Sequence, residues 1–304
     1  MIKEHTGALS RGRVTRPAYA KINLYLDVLS CREDGFHDLL TVMHSISLHD
    51  DVQVEWFASS SNAISLRVYG ARLPLDQKNL AYRAAEAFMN KTGKTARLHI
   101  NIRKRLPIAA GLAGGSADAA AVLLALNELA GYPLPVDELL ALGASLGSDV
   151  PFCMVGGTQI CRGRGEVMRP LACGSPLYVV VAKGRERVST PQAFALMDEH
   201  YHRFDGSVAH GGQPDKLYRA VADGKLSSLP ACIYNAFEPV IMPTCPTATT
   251  LREQLHSLGA YAACMSGSGP SVFGLFETLE QARRAALAIG NHAHVATSAP
   301  ANLL

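Results

Sequence analysis

The sequence predicts an α+β protein of two domains. Its 304 residues correspond to about two domains at roughly 150 residues each. Hydrophobic residues make up 48% and charged residues 18%, against a typical charged share of about 25%, so a sizeable core can be buried and disorder is excluded. Period-two stretches, the mark of strands, alternate with Ala- and Leu-rich stretches of helical spacing. Residues 1–16 read as a flexible, mildly basic tail, 17–174 as the first domain and 175–304 as the second.

From Ala18 the chain alternates. Ile22, Leu24, Leu26 and Val28 face one way and Lys21, Asn23, Tyr25 and Asp27 the other, as in a half-buried strand that sets Lys21 and Asn23 about 7 Å apart on one surface. The turn Arg32-Glu33-Asp34-Gly35 follows, then separate strands near Thr41–Leu48, Val52–Phe57 and Ile64–Val68. Lys78–Lys91 reads as a helix with Leu80, Ala84, Ala87 and Phe88 on one stripe, and Ala96–Ile102 as a strand. A Gly/Ala segment, Pro107–Gly115, leads into a helix over Ser116–Leu129 closed by Gly131; a second helix spans Val136–Leu146. Strands are expected near Thr158–Cys161 and Leu177–Ala182. Helices then alternate (Gln192–Glu199, Asp215–Ala222, Thr247–Leu258, Leu279–Ile289) with strands (Tyr261–Met265, Val272–Phe276, His294–Thr297), and Gly206–Gln213 reads as a surface loop.

The net charge is +3. Lys3, Arg11, Arg13 and Arg16 against Glu4 place all of it in the first sixteen residues, so 17–304 sum to zero. Nucleic-acid binding through a broad basic footprint is thereby argued against, because counterion release needs clustered cations. A small anionic ligand is not. The seven cysteines (31, 153, 161, 173, 232, 245, 264) contain no CxxC pair. No signal peptide and no apolar run of about 18 residues is seen. A cytoplasmic protein with reduced thiols and no membrane partner is expected.

Gly93-Lys94-Thr95 invites a P-loop reading, but the first glycine of that pattern would fall on Phe88, and the helix and strand stand in the wrong order. Neither G-x-S-x-G nor H-E-x-x-H is present. The strongest signal is Pro107-Ile108-Ala109-Ala110-Gly111-Leu112-Ala113-Gly114-Gly115-Ser116-Ala117. Small residues leave backbone N–H groups uncovered, and a helix opening there, capped by Ser116, adds about half a positive charge, so phosphate binding follows. Tight helix packing is the plain alternative. Asp149 sits in Gly147-Ser148-Asp149-Val150-Pro151-Phe152, where a helix has just ended; a turn or N-cap role is its alternative. Ser266-Gly267-Ser268-Gly269 is a second small-residue loop, either lining phosphates or serving as a turn.

Taken together, Lys21 on an N-terminal strand, the loop at 107–117 and Ser266–Gly269 resemble the GHMP kinase superfamily. Ala20-Lys21-Ile22-Asn23-Leu24, Asp34-Gly35-Phe36-His37-Asp38-Leu39, the Asp149 segment and Asn235-Ala236-Phe237-Glu238 narrow the similarity to its branch acting on a cytidine diphosphate-linked methylerythritol. The resemblance implies the two-domain GHMP fold: a ribosomal-protein-S5-like, ATP-binding N-terminal domain and a ferredoxin-like C-terminal substrate domain. It implies γ-phosphoryl transfer from ATP, with Mg2+, to a tertiary hydroxyl. By position it makes Lys21 and Asp149 the catalytic pair, Pro107–Ala117 the ATP loop, and Phe36, His37 and Phe194 readers of the cytidine head. Asn23, beside Lys21, is expected to touch substrate. Ser116 is the one metal ligand named. Ala109, Ala110 and Ala113 stand where the family often has glycine and are expected at ordinary backbone angles. The protein is expected to be a monomer or homodimer. A homoserine- or mevalonate-type kinase is the nearest alternative; a non-catalytic nucleotide sensor is another, argued against by the presence of both Lys21 and Asp149.

Overall fold

The computed structural model describes residues 11–201 and 214–302. Residues 1–10 of the expected tail and the whole loop expected at Gly206–Gln213 lie outside them. The described residues form two compact units. Residues 11–18, 49–105 and 115–154 supply one; residues 19–48, 106–114, 155–201 and 214–302 supply the other. Two long neighbouring strands, β1 (Arg11–Cys31) and β2 (His37–Ala58), run through both.

In the first unit, β2 continues as far as Ala58 and its segment Asp51–Ala58 pairs antiparallel with β4 (Ala96–Arg103), whose other edge carries β3 (Ala63–Tyr69) in parallel. Helix α1 (Leu80–Thr92) joins β3 to β4. It starts where the Asn79 side chain accepts the Ala81 N–H and ends at Gly93, whose φ of 65° stops the helix. The Gly-Lys-Thr triplet is thus a helix terminus and not a P-loop. Helix α2 (Gly114–Leu129) is buried on nearly every side, as its run of alanines and leucines requires. Helices α3 (Val136–Leu146) and α4 (Val150–Val155) follow. Val52, Val54, Trp56, Phe88, Leu98 and Ile100 are buried in this unit.

In the second unit, β5 (Thr158–Gly163) pairs with the Leu39–His44 part of β2 and with β6 (Val167–Pro170). Strand β7 (Tyr178–Ala182) leads to α5 (Thr190–Tyr201), α6 (Pro214–Ala222) and β8 (Tyr234–Asn235), which pairs parallel to β1. The short α7 (Glu238–Ile241) precedes α8 (Pro246–Ser257), β9 (Ala262–Met265), β10 (Val272–Phe276), α9 (Leu279–Ile289) and β11 (Ala293–Thr297). Strands β11, β7, β10 and β9, in that order, form an antiparallel sheet. Helix α9 opens with a capping box, Thr278 and Gln281 each satisfying the other's backbone.

Three expectations are corrected. Residues 11–16 are not tail: they begin β1, and Arg16 pairs with Glu128 at 2.6 Å. The two strands expected at 41–48 and 52–57 are one. And β1 is not half-buried, because its polar face is covered as fully as its apolar one.

Candidate active site

Lys21 and Asn23 lie on the polar face of β1, 4% and 2% exposed. Shut off from water, such groups must satisfy one another. Lys21 Nζ donates to Asn23 Oδ1 at 2.6 Å, Asn23 Nδ2 to Thr41 Oγ1 at 2.8 Å, and Thr41 Oγ1 to the Tyr25 carbonyl at 2.5 Å. The Asn23 amide is therefore fixed, its oxygen on the lysine and its nitrogen on β2. Farther along, the Tyr25 hydroxyl donates to Asp27 at 3.1 Å; burial, reinforced by that carboxylate, pushes the phenol well above its ordinary pKa.

The loop over Pro107–Gly114 lies against β1, since the Lys21 N–H donates to the Leu112 carbonyl at 3.2 Å. Ser266 Oγ donates to the Gly111 carbonyl at 3.1 Å. A Cβ on Gly111 would strike the Ser266 carbonyl, and one on Gly267 would come within 2.8 Å of the Gly111 carbonyl and 3.2 Å of Lys21 Nζ. The two small-residue loops therefore pack backbone to backbone with the lysine ammonium beside them, which only glycine permits. Asn235 holds the second loop: Nδ2 donates to the carbonyls of Met265 (2.7 Å) and Gly267 (2.9 Å), and Oδ1 accepts the Phe237 N–H. The sequence singled out Asn235 only within the Asn-Ala-Phe-Glu segment, without a role.

Ala109 and Ala113 have φ of 50° and 59°, contrary to the ordinary angles expected. The reversal that carries the chain from β4 into α2 overrides their preference, at roughly 1–2 kcal/mol per residue. Ser116 is also not a cap: α2 begins at Gly114, so Ser116 sits in its first turn. The opening N–H groups of that turn have no intrahelical acceptor and carry the positive end of the helix dipole.

Asp149 follows α3, as expected, and also opens α4: its carbonyl accepts the Cys153 N–H at 3.0 Å, and the Val150 N–H reaches the Gly147 carbonyl at 3.1 Å. Its side chain is half-buried. A Cβ on Gly147 would lie 3.9 Å from Ser116 Oγ, so the Gly-Ser-Asp turn adjoins the first turn of α2. Lys21 and the Pro107–Gly114 loop belong to the second unit; Asp149, Gly115, Ser116 and Ala117 belong to the first.

The expected cytidine readers divide. Phe36 is 50% exposed, with the Arg164 guanidinium 4.7 Å from its ring centroid. His37 is buried; Nε2 meets Asp198 Oδ1 at 2.7 Å and the ring stacks on Phe194 at 4.6 Å. Phe194 in turn meets Phe237 edge-on at 5.0 Å. Arg164 carried no signal in the sequence. None of the seven cysteines is in a disulfide. Among the described residues no three His, Cys, Asp or Glu side chains gather as a metal-ligand set, and no helix is long and apolar enough to cross a membrane.

The family descriptions "GHMP kinases N terminal domain" and "GHMP kinases C terminal" match residues 79–157 and 217–295. A 4-diphosphocytidyl-2-C-methyl-D-erythritol kinase from Pelotomaculum thermopropionicum is 42% identical, over 90% of this chain and 92% of its own. A crystal structure of 4-(cytidine 5'-diphospho)-2C-methyl-D-erythritol kinase is 34% identical, with a TM-score of 0.78 over 94% of this chain and all of that one. Homoserine kinase from Cytophaga hutchinsonii, 19% identical with a TM-score of 0.71 over 99% of this chain and 98% of its own, shares the fold alone. The GHMP kinase fold expected from the motifs is thus found, and the chain belongs to the 4-diphosphocytidyl-2-C-methyl-D-erythritol kinase family of GHMP kinases.

Proposed function

We propose that this kinase transfers the γ-phosphoryl group of ATP to the 2-hydroxyl of 4-diphosphocytidyl-2-C-methyl-D-erythritol, in non-mevalonate isoprenoid precursor synthesis. The observation that carries the chemistry is the buried Lys21 ammonium, oriented by Asn23 beside two closely packed glycine loops. Phosphoryl transfer has a loose transition state, so catalysis is mainly positioning and charge stabilisation. The Pro107–Ala117 loop and the first N–H groups of α2 bind the phosphates. Lys21 steadies charge on the transferring group. Asp149 orients the acceptor hydroxyl and takes its proton late in the transfer.

Mg2+ is commonly held by one or two protein oxygens together with substrate phosphates and water. The donor set fits that mode: Ser116 Oγ stands in the first turn of α2, and no dedicated cage of ligands gathers among the described residues. When bound, the ion neutralises charge on the phosphates, and Ser116 is the residue that would hold it. For the cytidine head, exposed Phe36 offers a ring for stacking, and the His37–Phe194 pair forms a rigid wall.

ADP formation from ATP, measured with 4-diphosphocytidyl-2-C-methyl-D-erythritol, with homoserine, with mevalonate and with no acceptor, tests the reading. Turnover is expected with the cytidine-bearing alcohol alone. Turnover with a free alcohol and none with the cytidine compound would overturn it.

A further inference from the structure

Lys104 stands just before the glycine loop, and Asp118 lies just beyond the first turn of α2, into which the loop leads. Their side chains meet. Lys104 Nζ donates to Asp118 Oδ2 at 2.6 Å and to Asp50 Oδ2 at 2.5 Å. All three side chains are buried, none more than 4% exposed. The other oxygen of Asp50 accepts the Arg105 N–H at 2.5 Å, and the Lys104 N–H donates to the Tyr69 carbonyl at 2.8 Å. The backbone entering the loop is therefore held at two successive residues, and the helix leaving it is tied to the same ammonium.

As a stabilising device this arrangement is poor. Withdrawing charges from water costs several kcal/mol per ion, and an apolar layer of equal volume often does as well or better. Two carboxylates against one ammonium leave a net negative charge when all are ionised, and Asp118 Oδ1 has no hydrogen-bond partner among the described residues. Burial raises the Asp118 carboxyl to about 7, with Lys104 opposing and Asp50 adding to the shift. A carboxylate raised on folding subtracts stability as pH climbs from its unfolded toward its folded value. What ions supply and an apolar layer does not is a fixed geometry. The loop needs one, because left-handed alanines such as Ala109 and Ala113 persist only where their surroundings over-determine them.

We propose that Asp50, Lys104 and Asp118 are positioning residues that clamp both ends of the segment 105–115, holding its N–H groups and those of the first turn of α2 in register for the nucleotide phosphates. This rests on the reading of that loop as the phosphate cradle. In this proposal the three residues act through the backbone they fix.

The near-isosteric Asp118→Asn separates positioning from mere support. It is expected to raise the KM for ATP about fivefold or more, to leave that for 4-diphosphocytidyl-2-C-methyl-D-erythritol within about twofold, and to leave Tm at pH 8 unchanged or higher. An unchanged KM for ATP, or a parallel rise in both KM values, would overturn the proposal. If Asp118→Asn does not fold, Asp118→Glu, which keeps the charge but displaces it by one methylene, is read by the same criteria. The underlying reading is checked separately by hydrogen exchange in the wild-type protein. ATP is expected to slow exchange of amides 109–116; if it does not, the cradle reading fails. If it does while the Asp118 variant keeps its KM for ATP, the clamp alone fails.

Discussion

In the proposed reaction Lys21 and Asp149 are two polar residues in very different settings. Lys21 is buried, and Asn23 fixes its ammonium before any ligand arrives, so its ordering cost is met during folding. Asp149 is half-buried in a turn between two helices. Replacing it by Asn keeps the shape and removes the proton acceptor. Asp149→Asn should lower kcat by at least ~10²-fold with an unchanged melting temperature, in steady-state turnover; near-normal kcat in the folded variant would remove Asp149 from the mechanism. Their places in the fold were legible in the sequence: the strand period puts Lys21 on the polar face of β1, and the end of α3 puts Asp149 in a turn. The φ values of Ala109 and Ala113 were not, since alanine signals ordinary angles and only the tertiary path of the loop demands otherwise. Ala113→Gly should relieve roughly 1–2 kcal/mol of left-handed strain and give back about 0.4–1 kcal/mol through the freer unfolded chain. A net stabilisation of about 0.5–1 kcal/mol in urea titrations is expected on those terms, and a clear loss of stability would refute the strain.

Strand β2 shows the same principle for an element. Its 22 residues far exceed a usual strand of about 5–6, and His49-Asp50-Asp51 in its middle reads as a break because aspartate is depleted in strands. The break is absent because Asp50 has a buried ammonium to answer it; no local pattern could announce a partner 54 positions away. Elsewhere the periods were sufficient: α9 and β10 have the bounds that spacing alone predicts. Strand β2 also carries His44, fully buried between Thr158 Oγ1 at 2.7 Å on Nδ1 and Ser298 Oγ at 2.9 Å on Nε2. Burial lowers its pKa from 6.5 to about 4. Above pH 6.5 the ring is neutral in both states and contributes no pH dependence. Between about 6.5 and 4 the unfolded chain takes up a proton that the folded one refuses, so stability falls as pH falls, by about 3 kcal/mol over the whole window. Neither hydroxyl partner titrates there. In urea titrations, the stability difference between wild type and His44→Asn should shrink by about 2 kcal/mol from pH 7 to pH 5; a constant difference would show that the ring is not held neutral.

For the whole molecule, the decisive feature is the path of the chain. Residues 11–58 thread both compact units through β1 and β2, and the glycine loop is a piece of one unit inserted between two pieces of the other. This interleaving was not legible in the sequence, because composition changes little along the chain and a contiguous division is the simpler expectation. Its consequence concerns cooperativity. Chains with separate domains commonly unfold in separate steps, but here neither unit is contiguous, and melting one would strip pairing from strands the other needs. One transition is therefore expected. The probes are built in: Trp56, the single tryptophan, is buried in the first unit, and Cys161, Cys232, Cys245 and Cys264 are buried in the second. Urea unfolding followed by Trp56 fluorescence should share its midpoint with the exposure of those thiols to a labelling reagent, mapped by peptide. Midpoints differing by more than about 0.5 M urea would show that the units melt independently and that the shared strands do not couple them.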